Sequence, residues 1–230
     1  MSQSYGPKMT TDGLAVYFDP SNPKNSWGFD AKNQIGPSYN GTYNAVGFQS
    51  DPPRYQSTAT TITELARIVI SPDKTFDDND PWSFCFFCKL NSGAQQTFHS
   101  LAGRHLTTQW MILYLATSFG NSWNLRWCEN DGTYHSCPTQ TTDIIDDWHF
   151  CAFRMDSSRN LTMSVNDTHY TPIAVSNSAM NATEIMGGYH AGSNNYPFQG
   201  SIGLCAIYDR FVTDEETETI MESFKKRFGL

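Results

Sequence analysis

Short apolar runs recur about every ten residues along this sequence, and only its last segment carries a clear helix signal. The runs are rich in aromatic and β-branched residues, and turns rich in Gly, Asn, Asp and Ser separate them. Two runs, residues 82–90 and 148–155, are apolar on both faces and are predicted to lie inside a sheet. Because no helices alternate with these strands, the spacing predicts an all-β fold, either a sandwich or a jelly roll.

The helix signal lies at the C-terminus. Thr213 precedes Glu216 by three residues, which is the spacing of a capping box, and apolar residues follow at helical intervals. Cationic residues occupy the last turn, and Gly229 suits the end of a helix. The sequence therefore predicts one short amphipathic helix over residues 213–227, preceded by a buried strand at residues 202–208.

Composition and charge restrict the partners. The chain has 230 residues and a formal net charge of −8. An acidic surface disfavours nucleic acid and anionic membranes, since both select clustered Lys and Arg. No apolar run approaches the length of a membrane span, and residues 1–12 lack the apolar centre of a secretory signal, so neither membrane insertion nor export by that route is expected. Residues 1–11 are predicted to form an extended arm, and residues 12–230 a single domain that includes the helix.

Six cysteines occur, and most of them lie within apolar strand-like runs, so buried free thiols are expected. Cys85 and Cys88 are three residues apart in a predicted strand and therefore point to opposite faces, which disfavours a shared zinc site. Cys128 and Cys137 flank a predicted turn at Asp131. The sequence leaves open whether these two form a disulfide.

Four stretches together resemble the concanavalin A-like, laminin G-like jelly rolls, especially the single-domain copies in tailed-phage and bacterial surface proteins. They are residues 11–24 (TDGLAVYFDPSNPK), residues 82–89 (WSFCFFCK), residues 147–156 (DWHFCAFRMD) with 161–166 (LTMSVN), and residues 198–216 (FQGSIGLCAIYDRFVTDEE). The resemblance spans nearly the whole chain. It implies an all-β, two-sheet antiparallel jelly-roll sandwich, with the first and last strands side by side, so that Val16 and Ile207 share a sheet.

The final residues 227–230 also resemble the phage copies. This resemblance implies a non-enzymatic virion structural protein of a tailed phage, a capsid decoration protein or a fibre or spike component. Its partners would be other virion proteins and further copies of itself in a homo-oligomer, with a host-surface glycan as a further partner, and it would be made in the host cytoplasm. The alternative function is a carbohydrate-binding lectin or adhesin domain, because the fold is a scaffold for many functions.

Jelly rolls of this kind often bind glycans through loop aromatics, because the C–H face of a sugar packs on a ring while Asn and Asp bind its hydroxyl groups. The candidate rings for such contacts are Trp123, Trp127, Tyr134, Tyr189, His190 and Tyr196. The competing interpretation is that these rings cover the sandwich or a partner subunit.

Relatives also often hold Ca²⁺ with loop carboxylates and carbonyls, which a hard cation prefers. The candidate ligands are Asp19 and Asp209, at strand ends that are expected to come close. The family often carries an acidic residue where this chain has Gly203, and the glycine argues against the metal. No other cofactor is expected.

Catalysis is not expected. Glycosidases of this fold usually place their two carboxylates on one strand, and no such pattern of acidic residues occurs here. Glu64, Glu129 and Glu184 each stand alone in the sequence.

Overall fold

The computed structural model describes residues 9–20, 30–31, 39–44, 46–50, 53–57, 67–91, 98–103, 112–118, 122–129, 131–141, 144–145, 147–186, 189–190, 194–195 and 198–230. Within these residues it contains nineteen strands and one helix. In chain order they are β1 (Leu14–Phe18), β2 (Asp30–Ala31), β3 (Asn40–Asn44), β4 (Val46–Ser50), β5 (Pro53–Ser57), β6 (Arg67–Phe76), β7 (Trp82–Leu90), β8 (Phe98–Gly103), β9 (Ile112–Ser118), β10 (Ser122–Cys128), β11 (Tyr134–Ser136), β12 (His149–Met155), β13 (Asn160–Val165), β14 (Thr168–His169), β15 (Ile173–Ala174), β16 (Met180–Ile185), β17 (Tyr189–His190), β18 (Asn194–Asn195), β19 (Gly200–Tyr208) and α1 (Asp214–Phe228).

The strands form two large antiparallel sheets and one small hairpin. The first sheet has the strand order β14-β13-β12-β7-β19-β5-β4, with β1 added beside β19 and β15 beside β13. The second sheet has the order β11-β10-β9-β8-β16-β6-β3-β2, and β17 pairs with β18. Apolar side chains from both large sheets form one buried cluster between them. The predicted all-β, two-sheet sandwich with one C-terminal helix is confirmed.

The core between the sheets is rich in aromatic rings. Trp82 on β7 meets Trp127 on β10 with ring centroids 5.5 Å apart, and Phe84 lies edge-on to Trp82 at 5.4 Å. All three side chains are fully buried. Each such side chain stabilises the fold by roughly 1.5–3 kcal/mol relative to an exposed one. The run predicted for the middle of a sheet, residues 82–90, therefore holds the two sheets together.

A second apolar cluster lies on the outer face of the first sheet, beneath α1. The helix begins with the predicted capping box: the Thr213 hydroxyl accepts from the Glu216 N–H at 3.2 Å, and the Glu216 carboxylate accepts from the Thr213 N–H at 3.0 Å. Gly229 ends the helix with φ 76°, a left-handed conformation that favours glycine. The predicted helix over residues 213–227 is confirmed. No helix in the described part of the chain combines the length and apolarity needed to cross a membrane.

Gly203 on β19 lets the helix dock directly on the sheet. A Cβ at this position would lie 2.1 Å from Cζ of Phe228, whose ring also stacks on Phe87 at 4.9 Å and meets Trp148 at 4.4 Å. Any side chain at position 203, acidic or apolar, would displace the Phe228 ring. The close packing of Phe228 therefore explains why this chain has a glycine where the family often has an acidic residue.

β1 lies beside β19, which confirms that Val16 and Ile207 share a sheet, and the register places the two residues directly opposite each other. The ladder shifts register between Leu14 and Val16. Because of this irregularity, Leu14 joins the cluster beneath the helix while Val16 and Phe18 join the core between the sheets.

All six cysteines are buried and free. Cys85 faces the helix side of the first sheet and Cys88 the core, which confirms the opposite faces predicted for them. Cys137 lies in the core, whereas Cys128 belongs to a small cluster on the outer face of the second sheet. The two thiols left open as a disulfide are therefore separate.

Part of the predicted arm is seated on the domain. The Tyr208 hydroxyl donates to the Thr10 carbonyl at 3.1 Å, and Arg210 Nη2 donates to the Thr10 hydroxyl at 3.3 Å. Residues 1–8 lie outside the described part of the chain.

Candidate functional site

The side chains of β10 alternate between the core and the outer face of the second sheet. Trp123, Leu125 and Trp127 point into the core, as the two-residue period of a strand requires. Trp127 is 0 % exposed, so its prediction as a glycan-binding ring is wrong. Trp123 is 1 % exposed and packs on His149 with centroids 5.0 Å apart, so it is a core residue as well, although it also lines a surface pocket.

The other predicted rings differ in what the structure describes. Tyr134, the first residue of β11, is 60 % exposed and remains available to a ligand. The backbones of Tyr189 and His190 pair with β18, but their side chains lie outside the described residues, as does all of Tyr196. The prediction for these three residues therefore stays a prediction.

A pocket of about 290 Å³ opens on the outer face of the second sheet. Strand register sets Phe98, Ala116 and Asn124 in one row across β8, β9 and β10. Phe98 also packs with Ala116 and Cys128, which gives this face a small apolar patch. The pocket is lined by Phe98, Ala116, Thr117, Trp123, Asn124, Arg126 and Thr139.

Arg126 lies in this pocket between two aromatic rings. Its guanidinium carbon is 5.0 Å from the centroid of Tyr134 and 5.9 Å from that of Phe98. Both distances are within the range of cation–π attraction, which holds the guanidinium in place. Its Nε donates to the Asn124 side-chain oxygen at 3.0 Å, which also fixes the orientation of the amide. The site thus presents one cation, one amide and two rings on a rigid sheet.

A buried ion pair lies further across the same face. Glu184 on β16 accepts from Arg67 on β6 at 2.6 Å, and the Glu184 side chain is only 3 % exposed. Burial raises the pKa of Glu184 to about 7, although the charge of Arg67 and its hydrogen bond oppose the shift. Near neutral pH this carboxyl group is therefore close to the midpoint of its titration.

Glu129, at the end of β10, has a different environment. Its carboxylate accepts from His135 Nε2 at 2.5 Å, from the Asn177 N–H at 2.9 Å, and from Ser176. Burial raises the pKa of Glu129, but these hydrogen bonds outweigh it and hold the pKa below its ordinary value. The group is an ionised anchor for the loop that carries Ser176.

Glu129 and Glu184 do not form a catalytic pair. Register places Glu184 opposite Gly103, and the same row continues across β9 to Cys128, next to Glu129. Three strand spacings separate the two positions, roughly 14 Å. Paired glycosidase carboxylates stand closer, at about 5–9.5 Å. Glu64, the third acid singled out in the sequence, lies outside the described residues.

Asp19 and Asp209 do not meet, which overturns their prediction as shared Ca²⁺ ligands. The antiparallel pairing of β1 and β19 sets them at opposite ends of β1, with the Asp209 N–H donating to the Gly13 carbonyl. Asp19 binds Arg227 at 2.8 Å, and Asp209 binds Lys74 at 2.6 Å. Within the described part of the chain, no group of three His, Cys, Asp or Glu residues is arranged to hold a metal.

Sequence reasoning missed Phe98, Asn124 and Arg126. The segment WNLRW at residues 123–127 carries the signal that finds two of them. Leu125 shares its face with both tryptophans, so that face belongs to the core and the polar face, with Asn124 and Arg126, belongs to the surface. Phe98 reaches the site through strand pairing, which this local pattern does not encode.

Comparison with known proteins finds the fold in sugar-binding and sugar-processing proteins. A model of the concanavalin A-like lectin/glucanases superfamily matches residues 66–217. No curated protein matches the sequence. Trypanosoma rangeli sialidase in complex with sialic acid superposes with a TM-score of 0.67 at 11 % identity, over 96 % of this chain and 35 % of that one.

Two botulinum neurotoxin structures are also similar. One comes from work on type C and its interaction with two ganglioside molecules: TM-score 0.57, 11 % identity, 92 % of this chain and 51 % of that one. The other is the type DC binding domain with rat synaptotagmin II: TM-score 0.57, 12 % identity, again 92 % and 51 %. The chain thus spans about half or less of these proteins, and at such identities the likeness shows the fold alone.

Proposed function

The chain belongs to the concanavalin A-like lectin/glucanases superfamily, and from this premise we propose that it is a non-catalytic carbohydrate-binding domain. Its sugar site is the pocket on the outer face of the second sheet, around Arg126, Asn124 and Tyr134.

The composition of this pocket is the observation that carries the proposal. Sugars bind where an aromatic or apolar surface meets a few fixed hydrogen-bonding groups. The lining provides Phe98 as an apolar wall and Asn124 and Thr139 as polar groups, and Tyr134 adds an exposed ring that lies against Arg126 at the side of the pocket. The volume of about 290 Å³ is at the lower end of small-molecule sites and suits one or two sugar units.

The structurally similar proteins support a sugar as the ligand. Two of them are described with sialic acid or gangliosides, and the family name itself joins lectins with glucanases. Binding without catalysis is the better fit to this chain, because Glu129 and Glu184, the two buried glutamates of the described residues, stand too far apart to act as a glycosidase pair.

A glycan array probed with the purified chain tests the proposal. The wild type is expected to bind a defined subset of glycans, and Tyr134→Ala to lose about tenfold or more in affinity for them, since truncation of an aromatic residue that anchors a ligand costs about 2 kcal/mol or more. The matched control is Phe48→Ala, which removes another exposed ring, on β4 at the end of the first sheet. A wild type that binds no glycan, or equal losses in the two variants, contradicts the proposal.

The virion structural role stays a prediction from the resemblance to phage copies. It is compatible with a glycan site, because a particle protein can bind both its neighbours and a host surface. Co-sedimentation of the chain with particles in sugar-free buffer tests it, and a chain that neither sediments nor assembles contradicts it.

A further inference from the structure

Arg126 differs from the other arginines whose contacts the structure describes. Five of these form ion pairs with carboxylates. They are Arg67 with Glu184, Arg154 with Asp214, Arg159 with Asp78, Arg210 with Glu216, and Arg227 with Asp19. Arg126 has no carboxylate partner among the described residues, although the chain contains 23 acidic side chains. An arginine with no carboxylate partner in the described part of so acidic a chain is unusual.

The contacts of Arg126 hold its plane and leave its terminal nitrogens exposed to the pocket. Nε is bound to Asn124, while Tyr134 and Phe98 lie against the guanidinium. Neither Nη atom has a hydrogen-bond partner within the described part of the chain. Two parallel N–H groups on a fixed planar guanidinium match the two oxygens of a carboxylate.

We propose that Arg126 selects carboxylate-bearing sugars, so that the ligands of this site are acidic glycans built with a uronic or a sialic acid. This inference rests on the proposed sugar site and deepens it. The hydroxyl group of Thr139, on the lining of the pocket, binds the neutral part of the ring, and Tyr134, which lies against Arg126, covers its apolar face.

The overall charge of the chain does not produce this preference. A net charge of −8 repels anions at long range, so any preference for an acid must arise from a local cation. Because Arg126 is already positioned, little side-chain entropy is lost when the carboxylate binds. A single bidentate pair of this kind is expected to favour an acid over its ester by about tenfold or more.

The test measures affinity by NMR titration of the purified chain with matched monosaccharides. The probes are methyl β-D-glucuronide and the methyl α-glycoside of N-acetylneuraminic acid, each compared with its uncharged methyl ester. At least one acid is expected to bind about tenfold or more tightly than its ester. The acid that shows this ratio identifies the source of the carboxylate.

Variants assign the preference to Arg126. Arg126→Gln is expected to bring the ratio of acid to ester affinity close to one, and Arg126→Lys to leave an intermediate ratio, because it keeps the charge and loses the planar fork. Lys226→Gln removes one positive charge from the exposed face of α1, over the opposite sheet, and is expected to leave the ratio unchanged.

The outcomes separate this inference from the proposed function. Equal affinity of acid and ester in the wild type overturns the inference while the sugar site stands. A preference that survives in Arg126→Gln also overturns it. A chain that binds none of the probes and no array glycan overturns both. A thermal melt of each variant checks folding, and the wild-type ratio decides the question even where a variant fails to fold.

Discussion

Substitution of Gly203 by Ala is expected to destabilise the domain through the Phe228 ring. The new Cβ would lie 2.1 Å from Cζ, so the ring must move by more than about 1 Å to reach ordinary contact distance. Phe87 and Trp148 enclose the ring and oppose this movement. Overpacking of this kind costs about 1–3 kcal/mol in the free energy of unfolding.

A double-mutant cycle tests this cause. Phe228→Ala alone is expected to cost about 3 kcal/mol, since it removes a buried aromatic side chain. In that background the new methyl group at position 203 has space, so Gly203→Ala is expected to cost little and the coupling energy to be about 1–3 kcal/mol. Denaturant unfolding followed by tryptophan fluorescence measures all four proteins.

Gly132 provides the control. It lies in the β10–β11 turn with φ 91°, so Gly132→Ala is disfavoured by backbone conformation and not by the helix. Its cost, about 1 kcal/mol, should be the same with and without Phe228. If Gly203→Ala costs the same in both backgrounds too, the reasoning from the ring is refuted.

Three further predictions concern local chemistry. Burial raises the pKa of Glu184 from 4.5 to about 7, so the folded state binds the proton more tightly than the unfolded state. The contribution of Glu184 to the free energy of unfolding is therefore fully present below pH 4.5 and falls by up to about 3 kcal/mol as the pH rises to 7. Unfolding of Glu184→Gln at several pH values should lack this component, and identical pH profiles would contradict the raised pKa. Thr213→Ala should cost about 1 kcal/mol, measured by thermal unfolding, through loss of the helix cap, and an unchanged melting temperature would contradict the cap. Burial raises the pKa of Cys85 and Cys128 to about 12, so iodoacetamide at pH 8 should leave both thiols unlabelled in the native chain and label them after unfolding. Mass spectrometry measures the labelling, and rapid labelling of the native chain would contradict the burial of the two thiols.

The sequence correctly predicted those elements that depend only on residues close together in the chain. The helix start at Thr213 and its end at Gly229 depend on residues within one turn, so the prediction agrees with the structure. The placement of Val16 and Ile207 in one sheet joins distant parts of the chain, and only the family resemblance predicted it. Leu14 faces the helix because of a register irregularity, which a strict two-residue period does not include.

The candidate site was predicted less well for two physical reasons. Residue type suggested Trp123 and Trp127 as sugar-binding rings, but the alternation around Leu125 places both in the core. Asp19 and Asp209 were paired on the assumption that strand ends meet, whereas antiparallel pairing separates them along β1. In both cases strand direction and register decided the outcome.

The most direct test of the account is a map of amide chemical shifts on titration with an array-positive glycan. The account predicts the largest changes on the outer face of the second sheet, at Asn124, Arg126 and Thr139, with weaker changes at the amide of Phe98. Changes concentrated on the hairpin that carries Tyr189 and His190, or an unchanged second sheet at saturating glycan, would contradict the central claim that this face is the sugar site.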